Sequence, residues 1–321
     1  MKAIRINEFG GPEVMKLEEV ARPVPAADEI LVKVYATSVN PADYVIRKGG
    51  NNFLRPYLKL PMPLGLDAAG IVEEVGNEVT TFKTGDKVYG IPNFLDGGYT
   101  EYLAAKANKF ALMPHRSTFN EAGAIPSCAL IAWNGIVITG KAQPGQRVLI
   151  HGAAGGVGSL AVQFAKAKGA YVIGTASANN ADFLKSIGAD EVIDYKNQKF
   201  EDLLHDIDVV FNASPVRDSE MRLKSVDVLK EGGIFVCTQL DSPFSEDFLK
   251  ALAEKNATTT FIGSPFDRSE ALGEIAKLID DGKVKVIISK IYSLAEVAEA
   301  HRESETNHVR GKLVLEVRKE N

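Results

Sequence analysis

Cysteine is nearly absent from this 321-residue chain, with only Cys128 and Cys237 present. Two such residues are too few for a disulfide framework, and neither has a neighbour at metal-ligand spacing. Both read as buried small apolar side chains. Charge of one sign is also lacking: 42 acidic against 37 basic residues give a net charge of -5. That mild value argues against nucleic acid or an anionic membrane surface as the main partner and leaves small molecules. No apolar run is long enough to span a bilayer, and MKAIRINEFG begins with strand-like alternation instead of an apolar signal core. A soluble, cytoplasmic protein is expected. The histidines His115, His151, His205, His301 and His308 are scattered and form no pair at ligand spacing. Neither an internal repeat nor a low-complexity tract occurs.

The chain is longer than a single core usually serves, and its 45% hydrophobic content suffices to fill two. From Met1 to about Phe119 it is strand-rich, punctuated by Gly and Pro, in the manner of a small antiparallel barrel with few helices. After Asn120 strands and helices alternate. Strands are expected at Val148, Tyr171–Ala176, Glu191–Tyr195, Asp208–Asn212, Ile234–Gln239 and Thr258–Gly263, the order of a parallel, doubly wound sheet. The last segment predicts a helix over Ser269–Asp281, a strand near Val286, a helix over Leu294–Glu303 and a strand over Lys312–Val317.

The densest signal is RVLIHGAAGGVGSLAVQFAK, from Arg147 to Lys166. An apolar strand runs into a glycine-rich turn and then into an amphipathic helix. Ala153, Gly155 and Gly158 take the three small-residue positions of a dinucleotide fingerprint: the tight turn, the close approach of backbone to a pyrophosphate, and helix-to-strand packing. The helix start offers free N–H groups and its positive dipole end to phosphate. The alternative is a glycine-rich turn that binds nothing. A second strand arriving within the length of a strand-helix-strand unit favours the nucleotide. About 19 residues beyond Gly158, where an NAD site carries an acid for the ribose hydroxyls, stands Ser177 in TASANN. With no carboxylate to repel a 2'-phosphate, and with Ser177, Asn179 and Asn180 able to donate to it, NADPH is favoured over NADH. An ordinary polar loop is the alternative for that run.

Several stretches together resemble one family. Gly145, Gln146, Leu149, Ala153 to Gly156, Gly158, Gln163 and Lys166, with SVNPADYVIRKG from Ser38, LGLDAAGIVEEVG from Leu64, GDKVYG from Gly85 and RGKLVLEV from Arg310, are similar to the zinc-independent, zeta-crystallin-like quinone oxidoreductases of the medium-chain dehydrogenase/reductase superfamily. The resemblance spans nearly the whole chain. It implies an α/β protein with a GroES-like antiparallel β-barrel catalytic domain (1–122 and 266–321) and a Rossmann doubly wound parallel sheet (123–265), assembled as a homodimer. It also implies cofactor contacts at Ala153, Ala154, Gly155, Gly156, Val157, Gly158, Ser177, Asn179, Asn180, Tyr195 and Arg310, with Lys312 beside the last; a solvated basic pair beside a strand is the alternative for Arg310 and Lys312. Asn40, Asp43 and Tyr44, in the NPADY run, match positions around the nicotinamide and the substrate. Tyr44 would donate to a developing oxyanion and Asn40 would orient the ring or carbonyl. The alternative there is a turn, with Asp43 capping the helical turn that follows.

The zinc alcohol dehydrogenases share this superfamily. Where they place the first cysteine this chain has Asn40, and where they place a Gly-His-Glu run it has Gly65, Leu66 and Asp67. Three protein ligands are needed for a catalytic zinc, and Asp67 and Cys128 alone do not supply them. Without a metal, alcohol oxidation is difficult at neutral pH, whereas an electron-poor quinone or enone accepts hydride with little more than positioning and a few donors. The expected function is an NADPH-dependent, zinc-free reductase of quinones or α,β-unsaturated carbonyls. The other class is a non-catalytic NADPH-binding redox sensor or structural protein.

Overall fold

Glu29–Val39, eleven residues rich in Ile, Val and Leu, is the strand around which the N-terminal half is built, and its apolar side chains are almost wholly buried. The β-branched run suits a pleated surface packed on both faces. One edge of this strand pairs antiparallel with Ala68–Val75. The other is shared, with Tyr102–Lys106 along its first residues and Lys312–Glu316 along its last. Lys87–Gly90, Phe110–Leu112 and Ile288–Ser293 complete a seven-stranded sheet. Gly70 marks the tightest crossing, because a Cβ there would lie 2.1 Å from the Lys33 carbonyl oxygen. A smaller sheet joins Lys2–Ile6, Met15–Glu19 and Met62–Pro63.

The computed structural model describes residues 1–52, 54–93, 96–239, 242–262 and 269–320. Among them, one compact unit takes in 1–127, 269–282 and the segment from 286 on; the other takes in 128–262 with 283–285. The division falls inside the helix Pro126–Trp133.

In the second unit six parallel strands lie in the order Glu191–Asp194, Tyr171–Ala176, Arg147–His151, Ile207–Asn212, Leu229–Cys237, Thr258–Phe261. The chain order therefore reverses between Arg147–His151 and Ile207–Asn212. In an open parallel sheet that switch point, at the carboxyl ends of the strands, is where ligands bind. The helix Gly156–Ala167 starts there and packs Leu160, Ala161, Phe164 and Ala165 inward.

All six parallel strands expected from the sequence are present, with shifted ends. The fifth begins earlier, at Leu229, and the sixth runs over Thr258–Phe261; the expected end at Gly263 lies outside the described residues. The strand expected near Val286 starts only at Ile288. The reason is local: the Gln163 amide accepts from Lys285 N (2.7 Å) and donates to Lys285 O (3.0 Å), so that stretch of backbone is held by a side chain instead of a ladder. The C-terminal helix divides into a 3-10 turn, Leu294–Glu296, and an α-helix, Val297–Ser304. NPADY opens a helix, Pro41–Arg47.

Candidate active site

The glycine turn follows the buried strand Arg147–His151 directly. Gly152 has φ +69°, a conformation that favours glycine, and a Cβ there would also meet the Ser214 backbone at 2.9 Å. Gly158 lies in the first helical turn, where a Cβ would fall 2.2 Å from the Gly152 carbonyl oxygen; its smallness serves packing. Gly155 is different. Its φ is -75°, open to any residue, and a Cβ would meet nothing nearer than the Gly152 oxygen at 3.5 Å. Nothing within the unit requires glycine at Gly155, so the open space beside it fits a ligand that approaches the backbone. Ala154, Gly155, Gly156 and Val157 are partly exposed around this space, while Ala153 is buried and ties the turn to the sheet through Ala153 N–Thr175 O (3.2 Å). The first N–H groups of the helix have no partners four residues back, and with the dipole they form an anion site.

Ser177, Asn179 and Asn180 sit just past the end of Tyr171–Ala176. Asn180 Nδ2 donates to Ser177 Oγ (3.2 Å). Tyr195 N bonds Ala176 O (3.2 Å), which places the exposed Tyr195 beside this loop. The neighbouring acid, Asp194, is committed elsewhere, accepting from Lys196 N and Asn197 Nδ2. A polar, carboxylate-poor loop results. His151, immediately before the glycine turn, is buried with Nδ1 3.1 Å from Thr175 Oγ1 and Nε2 3.1 Å from Ser225 Oγ. Burial pulls its pKa down from 6.5 to about 4, so it is neutral and structural. Arg310 is exposed and belongs to the other unit.

In the first unit, Asn40 ends the central strand and Pro41 starts the helix, a position where proline suits the missing donor. Asn40 N donates to Asp43 Oδ2 (2.8 Å). The Asn40 side chain is buried in a polar network that the sequence did not announce. Its Oδ1 accepts from Lys312 Nζ (2.6 Å) and Ser127 Oγ (3.1 Å); its Nδ2 donates to Asp67 Oδ2 (2.8 Å) and, at 3.4 Å, to Ser38 O. Asp67 Oδ1 accepts from Ser127 N (2.7 Å), and Oδ2 also from Ser38 Oγ (2.5 Å). Because both carboxylate oxygens are engaged in this way, Asp67 is a structural acceptor in the unit.

Asp43 is fully buried, and Oδ2 accepts from Asn40 N and from the Tyr99 hydroxyl (2.8 Å). Oδ1 has no hydrogen-bond partner among the described residues. Burial pushes its pKa up to about 7, opposed by the bonds from Tyr99 and Asn40 and by Lys312, and assisted by the Asp67 charge. Beyond Tyr99 lie His301 (Nε2, 3.1 Å), Arg47 (Nη1–His301 Nδ1, 2.8 Å) and Glu305, which pairs with both Arg47 and Lys48. Tyr44, one residue from Asp43, is half-buried, with the Lys48 ammonium 5.4 Å above its ring.

The structure thus joins Asn40 and Asp43 through two reciprocal hydrogen bonds, Asn40 N to Asp43 Oδ2 and Asp43 N to Asn40 O (3.0 Å), displays Tyr44 from the same helix, and separately gathers Ser177, Asn180 and Tyr195. Asp67, Ser127, Tyr99, His301 and Lys312 were not signalled as their partners. Only the position of Asp67 in the Gly-Leu-Asp run, and of Lys312 beside Arg310, pointed their way. Among the described residues no three His, Cys, Asp or Glu side chains converge as a metal-holding group, and no helix is long and apolar enough to cross a membrane.

Comparison with known proteins agrees with this architecture. A family model described as "Alcohol dehydrogenase GroES-like domain" matches residues 26–115, and one described as "Zinc-binding dehydrogenase" matches 187–315. A quinone oxidoreductase of Sus scrofa is 32% identical over 98% of this chain and 97% of its own. A 2-methylene-furan-3-one reductase of Solanum lycopersicum is 35% identical over 98% of this chain and 79% of its own. The crystal structure of the Escherichia coli quinone oxidoreductase complexed with NADPH superposes with a TM-score of 0.86 at 32% identity, covering 99% of this chain and 100% of that one. The chain, with its GroES-like and Rossmann-type halves, is an oxidoreductase that belongs to the quinone oxidoreductase family of the medium-chain dehydrogenase/reductase superfamily.

Proposed function

We propose that this protein is an NADPH-dependent, metal-free reductase of quinones or α,β-unsaturated carbonyls. The observation that carries the reading is Gly155, a glycine that neither its backbone angles nor its neighbours require. Glycine there leaves room for a pyrophosphate against the backbone, with the start of Gly156–Ala167 supplying N–H groups. Ser177, Asn179 and Asn180 would receive the 2'-phosphate, flanked by Tyr195, and Arg310 belongs to the same proposed set. When bound, a reduced nicotinamide supplies the hydride. The chain's own part is to position the acceptor and to meet the negative charge that reaches its oxygen.

For that second task the reading assigns Tyr44 as the phenolic donor and Asn40 as an amide donor. Asp43 holds the helix start from which Tyr44 projects. The absence of metal from this scheme is supported by the occupied carboxylate of Asp67 and by Asn40 and Leu66 at positions where the zinc relatives carry ligands. The expected homodimer and cytoplasmic location stay part of the proposal, the former checked by sedimentation.

The test is NADPH consumption by purified, chelator-treated protein offered quinones, enals and enones. Turnover with at least one class is expected. Tight NADPH binding with no consumption across the panel would leave a binding protein, and loss of turnover with stoichiometric zinc removed would leave a zinc enzyme.

A further inference from the structure

Lys312 is 6% exposed and lies 272 residues from Asn40 in the chain, yet its Nζ sits 2.6 Å from Asn40 Oδ1 and 3.0 Å from Val39 O. Its nearest carboxylate oxygen, Asp67 Oδ2, is 4.0 Å away. A buried lysine placed only to neutralise Asp67 gains most by direct contact, at hydrogen-bond distance. Here the Asn40 amide stands between them, accepting from the ammonium at Oδ1 and donating to the carboxylate from Nδ2. The orientation of the amide is fixed by chemistry, since an ammonium only donates and an ionised carboxylate only accepts. Such a chain polarises its middle member, and each hydrogen bond strengthens the next. The second Nδ2 proton has only Ser38 O at 3.4 Å, the outer limit of a hydrogen bond. It is the one weakly engaged donor of an otherwise saturated group.

We propose that Lys312 is a positioning residue for the reduction: through Asn40 Oδ1 it locks and polarises the Asn40 amide, leaving the second Nδ2 proton as a strengthened donor for the oxygen on which the acceptor's charge develops. This rests on the reductase reading above. In the zinc relatives a metal ligand stands at the position of Asn40, and here a lysine ammonium is bonded to that side chain; fixed positive charge reaches the same place without a metal.

The test combines kinetics with a measurement that needs no turnover. Lys312→Met removes the charge at similar volume; Lys312→Met/Asp67→Asn removes the ion pair together, so that no carboxylate is left buried alone. With the acceptor that the wild type reduces, each should lower kcat on the order of tenfold with NADPH affinity unchanged, and Lys312→Arg should recover part of the loss. In an Asn40→Ala background, Lys312→Met should cost nothing further, because the lysine acts through the amide. Side-chain amide NMR of protein labelled at asparagine should show the Asn40 proton resonances moving upfield in Lys312→Met, with the signal assigned by its loss in Asn40→Ala. Wild-type kcat in both Lys312 variants, multiplied losses in the double variant with Asn40→Ala, or unmoved Asn40 resonances would each overturn the inference. No turnover by the wild type with any acceptor would instead remove the reductase reading, while the NMR result still decides whether Lys312 polarises the amide.

Discussion

Tyr99 donates its hydroxyl proton to Asp43 Oδ2 across 2.8 Å, deep in the first unit, where neither group is exposed. The direction of the whole relay follows from its far end. Arg47 only donates, so His301 Nδ1 accepts, Nε2 carries the ring proton, and Tyr99 accepts there while donating onward to Asp43. Burial, aided by the Arg47 charge, pulls the His301 pKa down to about 3 and keeps the imidazole neutral in this relay.

Stability should therefore have a defined pH dependence. His301 and His151 stay neutral in the fold but bind protons in the unfolded chain below their ordinary 6.5. Their contribution is complete above about pH 6.5 and is lost as pH falls toward 4. Asp43 acts oppositely: the fold keeps a proton that the unfolded chain releases above 3.8, so its contribution is lost as pH rises toward 7. Two protons against one give a net rise in stability from about pH 4 upward, which levels off near pH 7, where the two trends nearly cancel. The net slope is about 1.4 kcal/mol per pH unit at most. Denaturant unfolding across this range should show stability rising to a plateau near pH 7, and Asp43→Asn should steepen the rise. A pH-independent midpoint in the wild type contradicts the assignment.

Gly155 and Gly158 should separate binding from folding. Gly155→Val enters open space within the unit, so the melting temperature should hold while NADPH affinity falls by roughly 100-fold or more, the scale of losing charge-assisted phosphate contacts. Gly158→Ala meets backbone at 2.2 Å and should destabilise the unit. Calorimetry with wild-type affinity in Gly155→Val puts the pyrophosphate elsewhere.

The glycine turn was legible because its argument is local: strand, turn and helix are consecutive, and the spacing of Ala153, Gly155 and Gly158 is itself the signal. The same holds for the alternation of strands and helices that follows. What could not be read was the partnership of side chains far apart in sequence. Asn40, Asp43 and Tyr44 were found as types in a short run, but Lys312, Tyr99 and His301 reach them only through tertiary packing, and no periodicity encodes that. His301 in particular looked like one of five scattered histidines. The delayed start of the strand at Ile288 was hidden for the same reason, since Gln163 lies 122 residues from the backbone it holds.

Ser177→Asp should reverse the cofactor preference. A carboxylate within about 4 Å of a 2'-phosphate costs on the order of 1 to 4 kcal/mol, depending on screening. Fluorescence titration should show NADPH weakened roughly tenfold or more while NADH is retained or improved. Equal dissociation constants for the two cofactors in the wild type sink the preference itself.

Tyr44→Phe keeps the ring under the Lys48 ammonium and removes only the hydroxyl. Loss of one oxyanion donor should lower kcat by roughly 10- to 100-fold and leave NADPH affinity nearly intact. Unchanged kcat with several acceptors assigns proton delivery to water.

The most direct measurement is a single turnover with NADPH deuterated at the transferred C4 position, mixed with protein and each of a series of quinones and enones. Hydride transfer predicts slower oxidation of the labelled cofactor than of the unlabelled one, and carbon-bound deuterium in the reduced enone wherever an enone is the acceptor. Cofactor that stays reduced with every acceptor, or labelled and unlabelled cofactor consumed at one rate with no deuterium in any product, would contradict the assignment of this protein as a nicotinamide-dependent reductase.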